Sequence, residues 1–117
     1  MRSEQLIDTP TAVRILGQGY FNLVRRGADG SLVLSADRWR VKYLNPSELL
    51  FEAQADAAPD LSVPLADVDQ MSWDRLPKQQ TRSQVRVLFR NGDLWSFSGI
   101  VQEDAVPSAP PAEGPAG

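Results

Sequence analysis

The 117-residue chain contains no cysteine and no histidine. Without thiols it has no disulfide, no thiolate nucleophile and no cysteine-ligated zinc or iron cluster. Without imidazole it lacks the commonest metal ligand and the only side chain whose ordinary pKa lies near neutrality. Catalysis would fall to carboxylates, Lys, Ser, Thr or Tyr, so a noncatalytic protein without a cofactor is expected. Long apolar runs are missing too. Nothing approaches the about 18 residues of a membrane span, and no signal-like apolar core follows Met1. The chain is therefore expected in the cytoplasm and not as an integral membrane protein.

An excess of one charge is also missing from the body of the chain. Residues 1–100 hold twelve Lys and Arg against twelve Asp and Glu, so the net charge of −3 comes from Glu103, Asp104 and Glu113. A neutral body does not carry the electrostatic footprint of a nonspecific nucleic-acid or membrane binder. From Ala105 onward the chain reads Ala-Val-Pro-Ser-Ala-Pro-Pro-Ala-Glu-Gly-Pro-Ala-Gly, where proline opposes helix and sheet and little apolar surface remains to bury. The expected organisation is one β domain over residues 1–104 and a disordered, Pro/Ala-rich tail over 105–117. The Pro107-Ser108-Ala109-Pro110 segment fits the minimal PPII-ligand pattern, but an acidic, Ala-rich tail supplies such a pattern by composition alone.

What is present is period-two alternation. Trp39, Val41 and Tyr43 fall on one face against Arg40 and Lys42, and Val85, Val87 and Phe89 alternate with Arg86 and Arg90. Asn91-Gly92 between two such runs is a strong hairpin signal, because both residues tolerate positive φ. Gly27-Ala28-Asp29-Gly30 and Asn45-Pro46-Ser47 mark further reversals. The pattern predicts strands near Val13–Val24, Ser31–Ser35, Arg38–Tyr43, Leu49–Ala53, Leu61–Pro64, Val68–Trp73, Val85–Phe89 and Leu94–Ser98. Gly17 and Gly19 are read as a bend in the first strand. The predicted core is Ile15, Phe21, Leu23, Leu32, Leu34, Trp39, Val41, Phe51, Val63, Val68, Val87, Phe89 and Phe97. The fold class is mainly β: a small, partly open antiparallel barrel or sandwich with at most short terminal helices.

The order of these segments carries a resemblance. Gly19-Tyr20-Phe21-Asn22-Leu23-Val24, then Ser-Leu-Val-Leu-Ser over 31–35 leading into Ala36-Asp37-Arg38-Trp39, are the first two quoted pieces. Leu61 to Met71, with Pro64-Leu65-x-x-Val68 inside it, and the closing hairpin Arg86 to Phe97 complete them. Together, over Ile15 to Gly99, they resemble bacterial PH-like domains of the GRAM type. The resemblance implies a PH-like partly open barrel with a C-terminal helix plugging one end. Here only Ile100 to Val106 precedes Pro107, about two helical turns. The covers available for a barrel end lined by Trp95, Phe97 and Ile100 are that stub helix, Glu4 to Ile7 with Leu6 and Ile7 inward, or another chain.

The resemblance also implies where an anion would bind. Arg25 and Arg26 sit beside the first turn, and Arg38, Arg40 and Lys42 lie on or beside the next long strand, the region that supplies phosphate ligands in PH-like domains. These five are the candidate anion- or partner-binding residues, although Arg and Lys on a solvated strand face also serve solubility and edge protection in any β domain. Nucleic acid could stack on Tyr20, Trp39, Tyr43 or Trp95, but the alternation puts Trp39 and Tyr43 on the face opposite Arg40 and Lys42, which predicts buried rings and exposed charges. Asp67, Asp69 and Asp74 lack the glycine and ligand spacing of a calcium loop, and Gly17-Gln18-Gly19 lacks the helix start and Lys of a phosphate loop. No metal is expected. The expected function is a noncatalytic binding or assembly module with a protein partner or a second copy, as in a homodimer. An anionic lipid or inositol phosphate is the alternative, and small-barrel nucleic-acid binding a further one.

Overall fold

A computed structural model describes residues 4–76 and 79–101. Its first regular elements are a short strand, β1 (Gln5–Ile7), and a helix, α1 (Thr9–Leu16). The helix corrects the expected strand from Val13, of which only the part after Tyr20 is extended. Its start is encoded locally: Asp8 is the N-cap, its Oδ1 accepting the Thr11 N–H at 2.9 Å, and Pro10 sits in the first turn, where a missing N–H costs nothing. Gly17 is therefore the helix C-cap and not a bend in a strand. Ala12, Ile15 and Leu16 share the buried face, against β3 and β6. Burying one such Ile or Leu is worth about 1.5–3 kcal/mol, which an eight-residue helix needs, since alone it would be marginal.

The remaining elements are β2 (Phe21–Arg26), β3 (Leu32–Asn45), β4 (Glu48–Ala53), β5 (Leu61–Pro64), β6 (Val68–Leu76), β7 (Gln79–Phe89) and β8 (Leu94–Ile100), with 3-10 turns at Gln54–Asp56 and Leu65–Asp67. They form one antiparallel sheet in the order β1-β6-β7-β8-β2-β3-β4-β5. The sheet curls without closing. Helix α1 packs against both β3 and β6, which are far apart in strand order. The inner face buries Phe21, Leu23, Trp39, Val41, Phe51, Val85, Val87 and Phe97, with Phe51 stacked edge-on to Trp95 at 5.4 Å. Ile7 also turns inward against this core, while Leu6 and Ile100 face solvent. The expected stub helix over 100–106 and the tail over 105–117 lie outside the described residues, apart from Ile100, which ends β8, and Val101, which is buried.

Three further expectations are corrected. Ser31–Ser35 and Arg38–Tyr43 are halves of a single strand, β3, with a bulge where Leu23 faces residues 35–37. Alternation carried back from buried Trp39 through that bulge sends Leu32 and Leu34 outward, and they are exposed instead of being core; Val68 is only partly buried. The Asn91-Gly92 hairpin forms, but only Gly92 takes a positive φ, of 97°. The Phe89 N–H donates to Asp93 O and the Gly92 N–H to Phe89 O, so the loop has three residues and Gly92 occupies its left-handed position. The Gly27–Gly30 reversal repeats this geometry bond for bond: Gly27 N–H to Ser31 O, Gly30 N–H to Gly27 O, and Gly30 at φ 91°. In each an Asx side chain accepts an N–H two residues on, Asp29 from Ser31 and Asn91 from Asp93. The two tips meet, with the Ala28 N–H donating to Asp93 Oδ1 at 3.1 Å.

Candidate functional site

The five predicted cations do not converge. On β2, adjacent residues point to opposite faces. Arg25 turns inward over the Trp95 ring at 5.4 Å, its Nε buried without a hydrogen-bond partner. Arg26 is exposed on the outer face, in a shallow groove with Val24, Leu32, Leu94 and Arg86. Arg38, Arg40 and Lys42 do share the outer face of β3. Arg40 and Lys42, however, both approach Glu52 on β4, at 3.8 and 3.3 Å, and Arg40 also lies over the Tyr20 ring at 5.2 Å. Two of the three charges on that face are thus balanced by one carboxylate between them. The pair expected to clasp a phosphate, Arg25 with Arg26, is divided by the sheet itself.

A cleft of about 450 Å³ lies between β5 and the β7–β8 hairpin, lined by Val63, Phe89 and Trp95 among others. Its rim is largely self-satisfied. The Arg90 N–H donates to Asp67 O and its Nε to Ala66 O, both at 2.9 Å, and its guanidinium lies 3.9 Å from Asp69. Asp67 belongs to the 3-10 turn before β6, whereas Asp69 lies in β6 itself. Among the described residues no group of three or more Asp or Glu is placed to hold a metal ion.

A third feature was not anticipated. The ladder between β3 and β4 runs from Trp39 opposite Ala53 to Asn45 opposite Glu48 and goes no further. Beyond Ala53 the chain leaves the sheet in the turn Gln54–Asp56, where Ala55 and Asp56 take φ of 56° and 55°, a left-handed conformation no strand continues through. The first residues of β3 thus have β2 on one side and, among the described residues, no strand on the other. The backbone parity of this edge follows from the hairpin. Gly27 and Ser31 form a hydrogen-bonded pair, so Arg25 and Val33 form the next, and the N–H and C=O groups of Leu32 and Leu34 face away from β2. Their side chains are uncovered as well: Leu32 is 54 %, Val33 49 % and Leu34 71 % exposed.

This edge was legible in principle. Reading 31–43 as one strand, with the phase set by Trp39, puts both leucines outside. The expected strands instead stopped at Ser35 and resumed at Arg38. Against known proteins, no family model, no curated protein and no solved structure matches the chain.

Proposed function

We propose that the chain is a noncatalytic binding module that takes a protein partner by strand addition along Leu32–Leu34. The observation that carries this reading is an edge whose free backbone groups and apolar side chains are exposed together. Sheet edges invite pairing, and proteins blunt those not meant for it with charge, proline, bulges or extreme shortness. The sheet's two end strands follow that rule, β1 with three residues and β5 with four ending in Pro64, and the stretches of β6 that extend past β1 carry Asp69, Asp74 and Arg75. Ser31–Ser35 holds neither charge nor proline. Main-chain bonds would supply affinity, and alternate side chains specificity. Leu32 and Leu34, joined by Val24 on the same face, would select an apolar segment.

The division of Arg25 from Arg26 and the pairing of Arg40 and Lys42 with Glu52 weigh against the anionic-lipid reading. A noncatalytic role also rests on the absence of histidine and cysteine. A cytoplasmic location and membership of the GRAM-type PH-like domains belong to the same proposal; no helix among the described residues is long and apolar enough to cross a membrane. The test is a titration of the isotope-labelled chain with a synthetic peptide of alternating Leu and Ser, followed through the backbone amides. Shifts and new exchange protection centred on Leu32–Leu34 are expected. Shifts confined to the cleft above Trp95, or none at millimolar peptide, would refute strand addition here.

A further inference from the structure

We infer that the partner at this edge is a second copy of the chain, paired antiparallel about a two-fold axis at Val33. The inference rests on the strand-addition reading and supplies its occupant. Ser31-Leu32-Val33-Leu34-Ser35 reads the same in both directions. A two-fold axis at Val33 therefore sets Leu32 opposite Leu34 of the second copy, Leu34 opposite its Leu32 and Ser31 opposite its Ser35, like against like. In an antiparallel pair a residue's outward N–H and C=O bond the residue directly opposite. In this register the free groups of Leu32 meet those of Leu34 in the other copy, twice over. Shifting the register by one residue would set them against residues whose groups are already bonded to β2.

The side chains agree with the backbone. All four leucines fall on the outer face, continuous with Val24, and the two Val33 side chains meet on the inner face at a non-hydrogen-bonded position, where cross-strand side chains lie closest. No charged residue lies within Ser31–Ser35, so no like charges oppose one another at the centre. The two sheets would join edge to edge through about five residues per copy. A contact of that size is below the standard protein interface, and its dissociation constant is expected between roughly 10 µM and 1 mM.

Because the chain has no cysteine, Val33→Cys introduces its only thiol. Cα atoms of a non-hydrogen-bonded antiparallel pair lie about 4.5 Å apart, within disulfide range. Under mild oxidation the full-length Val33→Cys chain is expected to form a disulfide-linked dimer at least tenfold faster than Ser47→Cys, whose thiol sits in the exposed β3–β4 turn. Sedimentation equilibrium of the wild type from 10 µM to 1 mM should show conversion from monomer to dimer. Leu34→Pro, which deletes an N–H facing away from β2, should remain monomeric with wild-type circular dichroism; if it fails to fold, Leu34→Lys serves in its place. A wild type monomeric at 1 mM, with Val33→Cys crosslinking no faster than Ser47→Cys, overturns the inference. Should the Leu32 and Leu34 amides then still exchange freely and respond to the alternating peptide, strand addition stands and only the second copy is excluded. Protection of those amides in micromolar monomer would mean the edge is covered within the chain, and both readings fall.

Discussion

Gly99 lies on the inner face of β8, opposite Ser83 of β7, and is buried against the ring of Phe21. A Cβ placed on Gly99 would stand 2.7 Å from Phe21 Cδ2 and 3.1 Å from Cε2. Carbon atoms in contact prefer about 3.5–4.0 Å, so Gly99→Ala requires the ring or the strand to move by most of an ångström. Phe21 is buried between β3 and β8 and has little room to do so. Overpacking of this kind costs typically about 1–3 kcal/mol, whereas removing a strand glycine returns only about 0.5–1 kcal/mol of backbone entropy. Overpacking wins, and a net loss of about 0.5–2 kcal/mol is expected. Urea unfolding followed by tryptophan fluorescence measures it, and in a domain of this size it corresponds to a fall in Tm of several degrees. Phe21→Leu alone should destabilise by loss of packing, yet it should recover part of the loss in the Gly99→Ala background, giving a coupling energy of about 1 kcal/mol. A Gly99→Ala chain as stable as the wild type, or additivity in the double variant, would show that the ring does not fill this space.

Other consequences can be measured in the same way. Gly30 and Gly92 hold equivalent left-handed positions in two matching turns, but a Cβ on Gly30 meets open space while one on Gly92 would lie 2.9 Å from Ala28 Cβ; Gly30→Ala should cost about 1–2 kcal/mol for the backbone alone, and Gly92→Ala measurably more, in chemical denaturation. Asp8 is held below the usual carboxylate range by the Thr11 side chain and then the Thr11 N–H, and Asp29 by the Ser31 N–H. Folded-state pKa values lowered in this way contribute stability above the ordinary carboxylate pKa of about 4 that is lost as pH falls through the lower folded values. Acid titration should therefore show decreasing stability below about pH 4, and Asp8→Ala should flatten that limb and fray α1 by amide exchange; an unchanged limb refutes the cap. Phe89→Ala should cost about 3–5 kcal/mol, because Phe89 is buried and its ring lies 4.9 Å from that of Trp95. Leu34→Ala should fall within about 0.5 kcal/mol of wild type at micromolar concentration, and a larger loss would mean that the outer face is covered.

The sequence alone determined which residues alternate and where the chain reverses. Val85, Val87 and Phe89 on one face, the cations of β3 opposite Trp39 and Val41, and the hairpin at Asn91-Gly92 all follow from side-chain period and turn chemistry, which act over a few residues. The helix was legible in the same local terms, through Asp8, Pro10, the Ala12-Ile15-Leu16 spacing and Gly17. Its β-branched Val13 and Ile15 read equally well as strand, and burial against β3 and β6 decides between them, because eight residues do not hold a helix on their own. Likewise alternation assigns Leu32 and Leu34 to one face, but it does not say whether that face is covered. The answer depends on β4 leaving the ladder at Ala53 and on β2 being the only described neighbour of those residues. The scattering of the cations has the same origin in part: Glu52 reaches Arg40 and Lys42 only because β3 and β4 pair in register, and while alternation puts Arg25 on the face of Phe21 and Leu23, the Trp95 ring it meets there is brought by the pairing of β2 with β8. Burial and charge pairing are set by neighbours distant along the chain, so they appear only once the sheet is assembled.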